Sequence, residues 1–570
     1  MPTSPTRHPV SRFQALFLPA LLVMLALAAG IGLRDPSPPD EPRFVLAAQG
    51  MVETGDWLVP RRGREFYAEK PPVFMWMQAA SWHLVRDWRV AFLLPSLLAA
   101  LATLWLVFDA ARRLWSPRHG LWAAGALFVC LQFGLQAKRA QIDMVLVALT
   151  TLSLWALLRY LLDGRERRWL ALGMFAAGLG TVTKGVGFLP VLVLLPWLGL
   201  RLTNRVPPGP RGRAAGDVLA AVAGFVAGAA VWLAPLGIAL LRDADPALHA
   251  YAHELLFRQT GTRYVNAWHH HQPWWYFAQT IATLWLPGAL LLLPWLLPAW
   301  WRRLRRGDPR YILLLGWVAL VLLFFSASPG KREVYIFPAL PAACLAAAPL
   351  LPALLRRSGV RWLLCGWLLL LGGLLLGAAA SGLSDAAWAT RLGESRGIAA
   401  ADMRVVLWAL GSLGAAAWGL VAVFRGRQVA RALVLFTVLL WTTYGLVVGP
   451  ALDDSSSGRA LMREVEARLG PQDEFGAVAW KEQHMLQARR PMLDFGYRQP
   501  LHLQWQEAAA WVAQAPERRW LWLPEDALGP CVDRERAQHL GRASRQEWWL
   551  VPGTAVDPHC EMPQVAREDG

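Results

Sequence analysis

The sequence predicts a mainly α-helical protein that crosses a membrane many times and ends in a small soluble α/β domain. Of its 570 residues, 55% are hydrophobic and only 17% are charged. Apolar runs of about 20 residues, the length at which a helix crosses a bilayer, recur along the chain. Residues 453–570 are polar instead. We therefore expect a transmembrane domain over 1–452 and a separate soluble domain over 453–570.

The apolar runs predict about thirteen transmembrane helices. Basic residues precede the first run, but no convincing small-residue cleavage site follows it, so we interpret it as an uncleaved anchor rather than a signal peptide. The runs are 13–33, 90–110, 120–137, 144–158, 169–183, 185–200, 218–241, 274–300, 311–328, 334–355, 362–381, 405–424 and 432–452.

The loops between these runs alternate in charge. Short loops rich in Lys and Arg stay in the cytoplasm, and alternate connections are rich in Arg, as in 112–118, 159–168 and 302–310. An odd number of crossings then places the N-terminus inside and 453–570 outside. Topology explains most of the formal net charge of +17, so a nucleic-acid partner is not expected.

The polar C-terminal part combines two kinds of pattern. Short β-like runs, Phe475–Trp480, Trp520–Leu523 and Trp548–Val551, alternate with helix-like stretches, which predicts a small α/β domain. Cys531 and Cys560 are the only cysteines outside the apolar runs. An exported compartment permits a disulfide between them, with two free buried thiols as the alternative.

Two long loops lie on the predicted outer side. The first, 34–89, is too long for a simple connector and predicts two interfacial helices, one with the apolar residues 44, 47, 48 and 51 on one face and one after Pro71-Pro72. The second, 242–273, contains His269-His270-His271. Neighbouring side chains on a strand point to opposite faces, so this triplet favours a solvated loop over a metal site.

Several cations break the charge rule. Lys138-Arg139, Lys184 and Lys331-Arg332 occupy short turns on the predicted outer side, where basic residues should be scarce. Asp143 follows the first pair closely. Because these turns share one membrane face, we expect their cations to converge on one anion, and a lipid-linked phosphate or diphosphate is the expected ligand.

Three residues of the first loop each have two interpretations. Asp40 precedes Glu41-Pro42 and could cap a helix or carry out chemistry. Asp56, within Gly55-Asp56-Trp57, favours a turn. Lys70 could bind a phosphate as a compact charge or reach toward lipid headgroups, and the sequence alone favours the second.

These motifs resemble the bacterial aminoarabinose transferase and the wider protein O-mannosyltransferase-like group of GT-C glycosyltransferases. The resemblance is ordered over roughly the first 350 residues and covers the C-terminal part only by position. The matching elements are Asp40-Glu41-Pro42-Arg43-Phe44, Gly55-Asp56-Trp57, Phe66-Tyr67-Ala68-Glu69-Lys70-Pro71-Pro72, Thr183-Lys184-Gly185, and Ser328-Pro329-Gly330-Lys331-Arg332 followed by Tyr335.

The resemblance implies a GT-C fold, a sugar donor linked to a lipid phosphate, an outward-facing site and an inverting transfer at a bacterial inner membrane. It makes Asp40 the essential acid and Lys70 a contact of the donor phosphate. The sequence departs from the family pattern at Pro42 and at Val45-Leu46-Ala47. In addition, Glu254-Leu255-Leu256-Phe257-Arg258 lacks the His that could help to bind a metal. A divalent metal therefore stays an open alternative, and no cofactor is obligatory.

We assign each candidate residue a role on this basis. The catalytic candidates are Asp40, Glu41 and Asp143. The donor-phosphate candidates are Lys70, Lys138, Arg139, Lys184, Lys331 and Arg332. The sugar or acceptor candidates are Arg43, Asp56, Tyr67, Glu69, Glu254, Arg258 and Tyr335.

The expected function is transfer of a sugar from a polyprenyl-phosphate donor to lipid A or another cell-envelope glycolipid at the periplasmic face. Protein O-mannosylation is the alternative enzymatic function. A transporter would place ionisable residues near the bilayer midplane, whereas here they gather at one face. A receptor with an outer domain would leave the outer cations unexplained.

Overall fold

The computed structural model describes residues 12–206, 214–257, 271–543, 546–560 and 562. Within these ranges, seven helices are long and apolar enough to cross a membrane, and a pair bent by 74°, Pro117–Phe128 with Leu131–Ala137, raises the number to eight. The predicted polytopic helical membrane protein is confirmed. The seven helices are Trp88–Leu114, Ile142–Leu162, Ala214–Arg242, Pro309–Ala327, Ser358–Leu383, Ala400–Phe424 and Val429–Ala451.

All thirteen predicted runs overlap helical segments, but several of these segments are short. The number of crossings therefore stays a prediction beyond the seven or eight above. The further helices of this part are Arg12–Ala28, Arg167–Lys184, Leu189–Val193, Leu194–Leu202, Pro246–His253, Tyr276–Leu284, Gly288–Arg305, Ala339–Ala347, Leu351–Leu354 and Ala387–Arg396.

Small residues allow two of the helices to pack closely. Arg167–Lys184 lies against Ala214–Arg242, and a Cβ atom on Gly178 would stand 2.1 Å from the carbonyl oxygen of Phe225. A Cβ on Gly228 would stand equally close to the carbonyl of Phe175. No side chain fits at those distances, so this contact requires glycine on both helices.

The first outer loop forms helices Glu41–Thr54 and Val73–Val85, joined through a short hairpin of β1 (Arg61–Arg62) and β2 (Glu65–Phe66). The first helix ends at Gly55, whose φ of 73° suits a left-handed cap. The apolar face of this helix was expected to meet lipid. It is instead buried in protein, with the ring of Phe44 5.4 Å from that of Phe74.

The C-terminal part contains a five-stranded mixed sheet in the order β4-β3-β5-β7-β6. Strand β3 pairs in parallel with β4 and β5, whereas β7 is antiparallel to β5 and β6. All three β-like runs of the sequence overlap strands of this sheet. The strands are β3 Glu474–Ala477, β4 Met492–Asp494, β5 Arg519–Pro524, β6 Gln538–Ala543 and β7 Gln546–Pro552.

Four helices accompany this sheet: Asp453–Ser457, Arg459–Arg468, Glu482–Gln487 and Leu501–Ala513. In its core the rings of Trp522 and Trp548 stack at 4.0 Å. Cys531 and Cys560 are joined by a disulfide with 5.4 Å between their Cα atoms, as their shared outer position predicted. We call residues 453–562 the C-terminal unit.

Asp35 ties the C-terminal unit to the transmembrane part. Its carboxylate accepts hydrogen bonds from Arg89 at 2.8 Å, from Gln487 at 3.0 Å and from Arg459. Its backbone N–H donates to Asp453 at 2.8 Å. Helix Glu482–Gln487, which we call the docking helix, thereby lies against the first outer helix, where the candidate site begins.

Candidate active site

Asp40 stands at the start of the first outer helix, but its side chain accepts no capping bond from that helix, all of whose residues are described. Its Oδ2 instead accepts hydrogen bonds from Gln141 Nε2 at 2.8 Å and from Arg332 Nη2 at 3.2 Å. The capping interpretation is therefore not what the structure shows. The carboxylate faces two turns that lie far away in the sequence.

The surroundings of Asp40 favour its charged form. Burial opposes ionisation, but the positive charges of Arg332 and Arg43 outweigh this effect and hold the pKa of Asp40 below its ordinary value. Lys184 contributes in the same direction. Asp40 is thus a carboxylate at neutral pH, half-buried and able to stabilise a neighbouring positive charge.

Glu41, the next residue, is occupied by structural contacts. Its two oxygens meet the guanidinium of Arg34 at 2.6 and 2.7 Å, and the backbone N–H groups of Ser37 and Ala140 donate to them at 2.8 Å. The residue is 3% exposed. A carboxylate with this many partners anchors the loop to the neighbouring turn and offers little to a substrate.

Two of the three predicted cationic turns meet near Asp40. Lys184 forms an ion pair with Asp143, and its Nζ lies 5.3 Å from the centre of the Tyr335 ring. Burial lowers the pKa of Arg332, but the charges of Asp40 and Asp143 outweigh it and raise that pKa. Asp40, Arg332, Asp143 and Lys184 therefore form one electrostatically connected row.

Lys138 and Lys331 have other partners. Lys138 is buried and donates to the carbonyl of Ala29, and burial together with the charge of Arg34 lowers its pKa to about 7. Lys331 is also buried, and its Nζ donates to the carbonyls of Ser328 at 2.7 Å and Gln272 at 3.2 Å. Both lysines thus donate to backbone carbonyls, and their predicted contact with a phosphate stays a prediction. Arg139, beside Lys138, is exposed.

Glu69 is the centre of a second group of charges. It pairs with Arg62 at 3.3 Å, Arg498 at 3.4 Å and Arg43 at 3.5 Å. Burial raises the pKa of Glu69, but the charges of Arg62 and Arg43 outweigh it and lower that pKa. Lys70 Nζ donates to the backbone carbonyl of Glu69 at 3.1 Å. Arg43 links this group to Asp40, at 3.9 Å.

The remaining candidates differ in their positions. Tyr67 is buried, and burial raises the pKa of its phenol, so the hydroxyl stays protonated. Asp56 accepts from the backbone N–H of Leu58 at 3.1 Å, which is the turn role that the sequence favoured. Glu254 follows helix Pro246–His253 and is half-buried. Arg258 lies outside the described residues.

Three further residues belong to this site although the sequence analysis did not name them. Gln141, which binds Asp40, lies between the candidates Arg139 and Asp143. Arg62 breaks the charge rule of outer loops as Lys184 does, so the same signal could have found it. Glu482 comes from the docking helix and pairs with Arg62 at 3.3 Å. Its segment carries no motif.

Metal ligation has no support in the described ranges, where no three His, Cys, Asp or Glu residues cluster as metal ligands do. His269 and His270 of the triplet lie outside those ranges. His271 is exposed and pairs through its backbone with Gly330.

Comparison with known proteins gives three findings. Residues 69–206 match the family model described as dolichyl-phosphate-mannose-protein mannosyltransferase. An undecaprenyl phosphate-alpha-4-amino-4-deoxy-L-arabinose arabinosyl transferase of Pseudomonas aeruginosa is 35% identical over 314 residues, 53% of each chain. Its counterpart in Pseudomonas savastanoi pv. phaseolicola is 30% identical over 362 residues, 62% of this chain and 64% of that protein.

The third finding concerns the fold. The crystal structure of ArnT from Cupriavidus metallidurans bound to undecaprenyl phosphate superposes with a TM-score of 0.73 at 19% identity, covering 96% of this chain and 100% of that one. The apo form of the same protein gives a TM-score of 0.69.

Fold and site together define a polytopic membrane protein with the GT-C fold. The comparisons confirm its resemblance to the aminoarabinose transferase group and to the wider mannosyltransferase-like family. In sequence, the chain spans about half the length of the first of these curated relatives.

Proposed function

We propose that this protein is a membrane glycosyltransferase that moves a sugar from a polyprenyl-phosphate donor to an acceptor at the outer face of the membrane. The observation that carries the proposal is the position of the Asp40 carboxylate, which is hydrogen-bonded to Gln141 and Arg332 within a group of charged residues from four separate segments. Relatives that are named for undecaprenyl phosphate-linked aminoarabinose support the class of donor.

The proposed reaction breaks the bond between the sugar's anomeric carbon and the phosphate oxygen of the donor. The phosphate leaves with the bonding electron pair, and an acceptor oxygen forms the new bond from the opposite face. Lys184 and Arg332 lie where cations can stabilise the charge that develops on the leaving phosphate. Lys70 is proposed to add a further phosphate contact, as the family resemblance implies.

Asp40 has two tasks in this scheme. Its negative charge stabilises the positive charge that develops on the sugar carbon as the donor bond breaks. It also orients the acceptor, and it takes the proton when the acceptor is a hydroxyl. A carboxylate whose pKa is held below its ordinary value is a weak base at neutral pH.

A weak base favours an acceptor that is already ionised. A phosphate group of a glycolipid such as lipid A needs no deprotonation before it attacks, so positioning by nearby groups suffices. A protein serine or threonine would need stronger base assistance. We therefore favour lipid A or another phosphorylated envelope glycolipid as the acceptor over a protein. Protein O-mannosyltransferase is the second candidate function, and transporter is the third.

We further propose a location in the bacterial inner membrane, with thirteen crossings, a cytoplasmic N-terminus and the C-terminal unit as a soluble α/β domain in the periplasm. The Arg-rich alternate loops support this orientation. The disulfide in the C-terminal unit fits an oxidising compartment.

The proposal is tested with the purified full-length protein in liposomes. A lipid-linked sugar labelled in the sugar is offered together with phosphorylated lipid A, dephosphorylated lipid A or an acceptor peptide. We expect label on phosphorylated lipid A and release of polyprenyl phosphate in equal amount. Label on the peptide alone would favour protein O-mannosylation, and uptake of intact donor without transfer would favour a transporter.

A further inference from the structure

We propose that Glu482, which the C-terminal unit supplies, is a positioning residue of this site: it holds Arg43 back from Asp40, so that Asp40 stays available to the acceptor. The inference rests on the proposed transferase function and assigns part of the active site to the C-terminal unit.

The geometry around Arg43 carries the inference. Its guanidinium lies between three carboxylates, with Nε 3.7 Å from Glu482, Nη1 3.5 Å from Glu69 and Nη1 3.9 Å from Asp40. Among the described residues, its buried Nε has no hydrogen-bond partner. Arg43 therefore makes long ion pairs with all three acids, and the balance among the acids sets its position.

The carboxylate of Glu482 is held in a fixed position from which it attracts Arg43. It is 4% exposed and also pairs with Arg62 at 3.3 Å. The guanidinium of Arg62 lies 3.6 Å from the centre of the Tyr497 ring, which also belongs to the C-terminal unit. Because Arg62 is held on the Tyr497 ring, the Glu482 carboxylate that pairs with it loses little further freedom when it attracts a second arginine.

The docking helix fixes this carboxylate in space. Its first residue, Glu482, faces the site, and His484 lies in the aromatic core of the C-terminal unit. Its last residue, Gln487, donates a hydrogen bond of 3.0 Å to Asp35. His484 is completely buried beside the stacked pair Trp522 and Trp548, with its ring edge-on to both and ring centres 4.4 and 4.5 Å away. The helix is thus anchored at both ends, and the position of Glu482 follows from the fold of the C-terminal unit.

Loss of the charge on Glu482 should change the position of the Arg43 guanidinium. With two acids left, the guanidinium shifts toward Glu69 and Asp40, and the longest ion pair, 3.9 Å to Asp40, shortens. A closer arginine would occupy the face of Asp40 that the acceptor needs. The donor-phosphate candidates Lys184 and Lys70 keep their places, so donor binding should change little.

The test compares Glu482→Gln, Glu482→Asp and wild type by kcat and donor KM, in liposomes and per folded molecule. We expect kcat to fall about tenfold in Glu482→Gln with donor KM within about twofold of wild type. Glu482→Asp keeps the charge on a shorter side chain and should lose about threefold. Glu466→Gln, which breaks an ion pair with Arg490 inside the same unit, should keep the wild-type kcat.

A double-mutant cycle separates positioning from general support of the fold. Because Glu482 acts through Arg43, Glu482→Gln should have almost no further effect on kcat in an Arg43→Met background. Additive losses in the cycle, or a Glu482→Gln enzyme with wild-type kcat, would overturn the inference. If Glu482→Gln does not fold, Glu482→Asp enters the cycle in its place. A wild-type protein that transfers no sugar would remove the proposed function and this role together.

Discussion

Arg332 donates a hydrogen bond of 3.2 Å to Asp40 across a separation of 292 residues in the sequence. Asp40 immediately precedes the first outer helix, whereas Arg332 follows the helix Pro309–Ala327, much later in the transmembrane part. This contact joins the first outer helix to the turn that contains Arg332 and thereby brings together two parts of the candidate site. It also links the lowered pKa of Asp40 to a residue that the charge rule had singled out.

The first prediction concerns Asp40→Asn. Because the Asp40 side chain caps nothing, the Asn variant should keep nearly the wild-type thermal midpoint. Its transfer rate should fall by roughly two orders of magnitude or more, since Asn carries no charge to stabilise the sugar carbon. Transfer assays and thermal unfolding of the same preparation measure both quantities. An active Asp40→Asn enzyme would move the catalytic role to another acid such as Asp143.

Glu41→Gln should give the opposite result. Glu41 is a buried carboxylate paired with Arg34 at two short distances, and removal of one partner from a buried pair costs roughly 3–5 kcal/mol. We expect a strongly lowered thermal midpoint and poor yield of folded protein. The molecules that do fold should keep much of their transfer rate. A stable but inactive Glu41→Gln protein would contradict this division of roles between neighbouring acids.

The sequence could predict the helices, three strands of the sheet (β3, β5 and β7) and the charges that gather on one face. Apolar runs and β-like runs are local signals, and Lys184 and Arg332 stood out because they break a charge rule. Glu482 could not be predicted, because its contact with Arg62 joins residues 420 positions apart that share no motif. Nor could the sequence tell which lysines would turn toward backbone carbonyls, since this depends on the geometry of each turn.

Lys184 and Lys331 should differ when each is replaced by Ala. Lys184 pairs with Asp143 beside Asp40, so its loss should weaken donor binding at least several-fold and change the thermal midpoint little. Lys331 holds two backbone carbonyls, so its loss should lower the midpoint and leave the donor KM of folded enzyme nearly unchanged. Equal effects on donor KM would show that both face the donor phosphate.

The disulfide should stabilise the C-terminal unit. Cys531 and Cys560 close a loop with a sequence separation of 29, for which the loss of chain entropy in the unfolded state predicts about 3.6 kcal/mol. Replacement of both by Ser should lower the midpoint of the tryptophan fluorescence transition. Reduction of the wild-type protein should match the double variant, while the double variant itself should not respond to reductant.

His484 should make the C-terminal unit sensitive to acid. Complete burial lowers the pKa of its ring to about 3, and within the described chain neither ring nitrogen has a hydrogen-bond partner. The unfolded chain takes up this proton near the ordinary value of 6.5, before the folded chain does. The contribution of neutral, buried His484 to the stability of the folded state is therefore complete above pH 6.5 and is lost as the pH falls toward 3.

Between pH 6.5 and 3, the free energy of unfolding should fall by a slope that approaches about 1.4 kcal/mol per pH unit. Unfolding of the full-length protein, followed by tryptophan fluorescence in denaturant between pH 7.5 and 4.5, measures it. Replacement of His484 by Phe, which keeps a ring against the stacked pair Trp522 and Trp548 but cannot titrate, should remove this part of the pH dependence. Identical pH dependence in the Phe variant would show that other groups cause the acid sensitivity, because no titrating ring would then remain at that position.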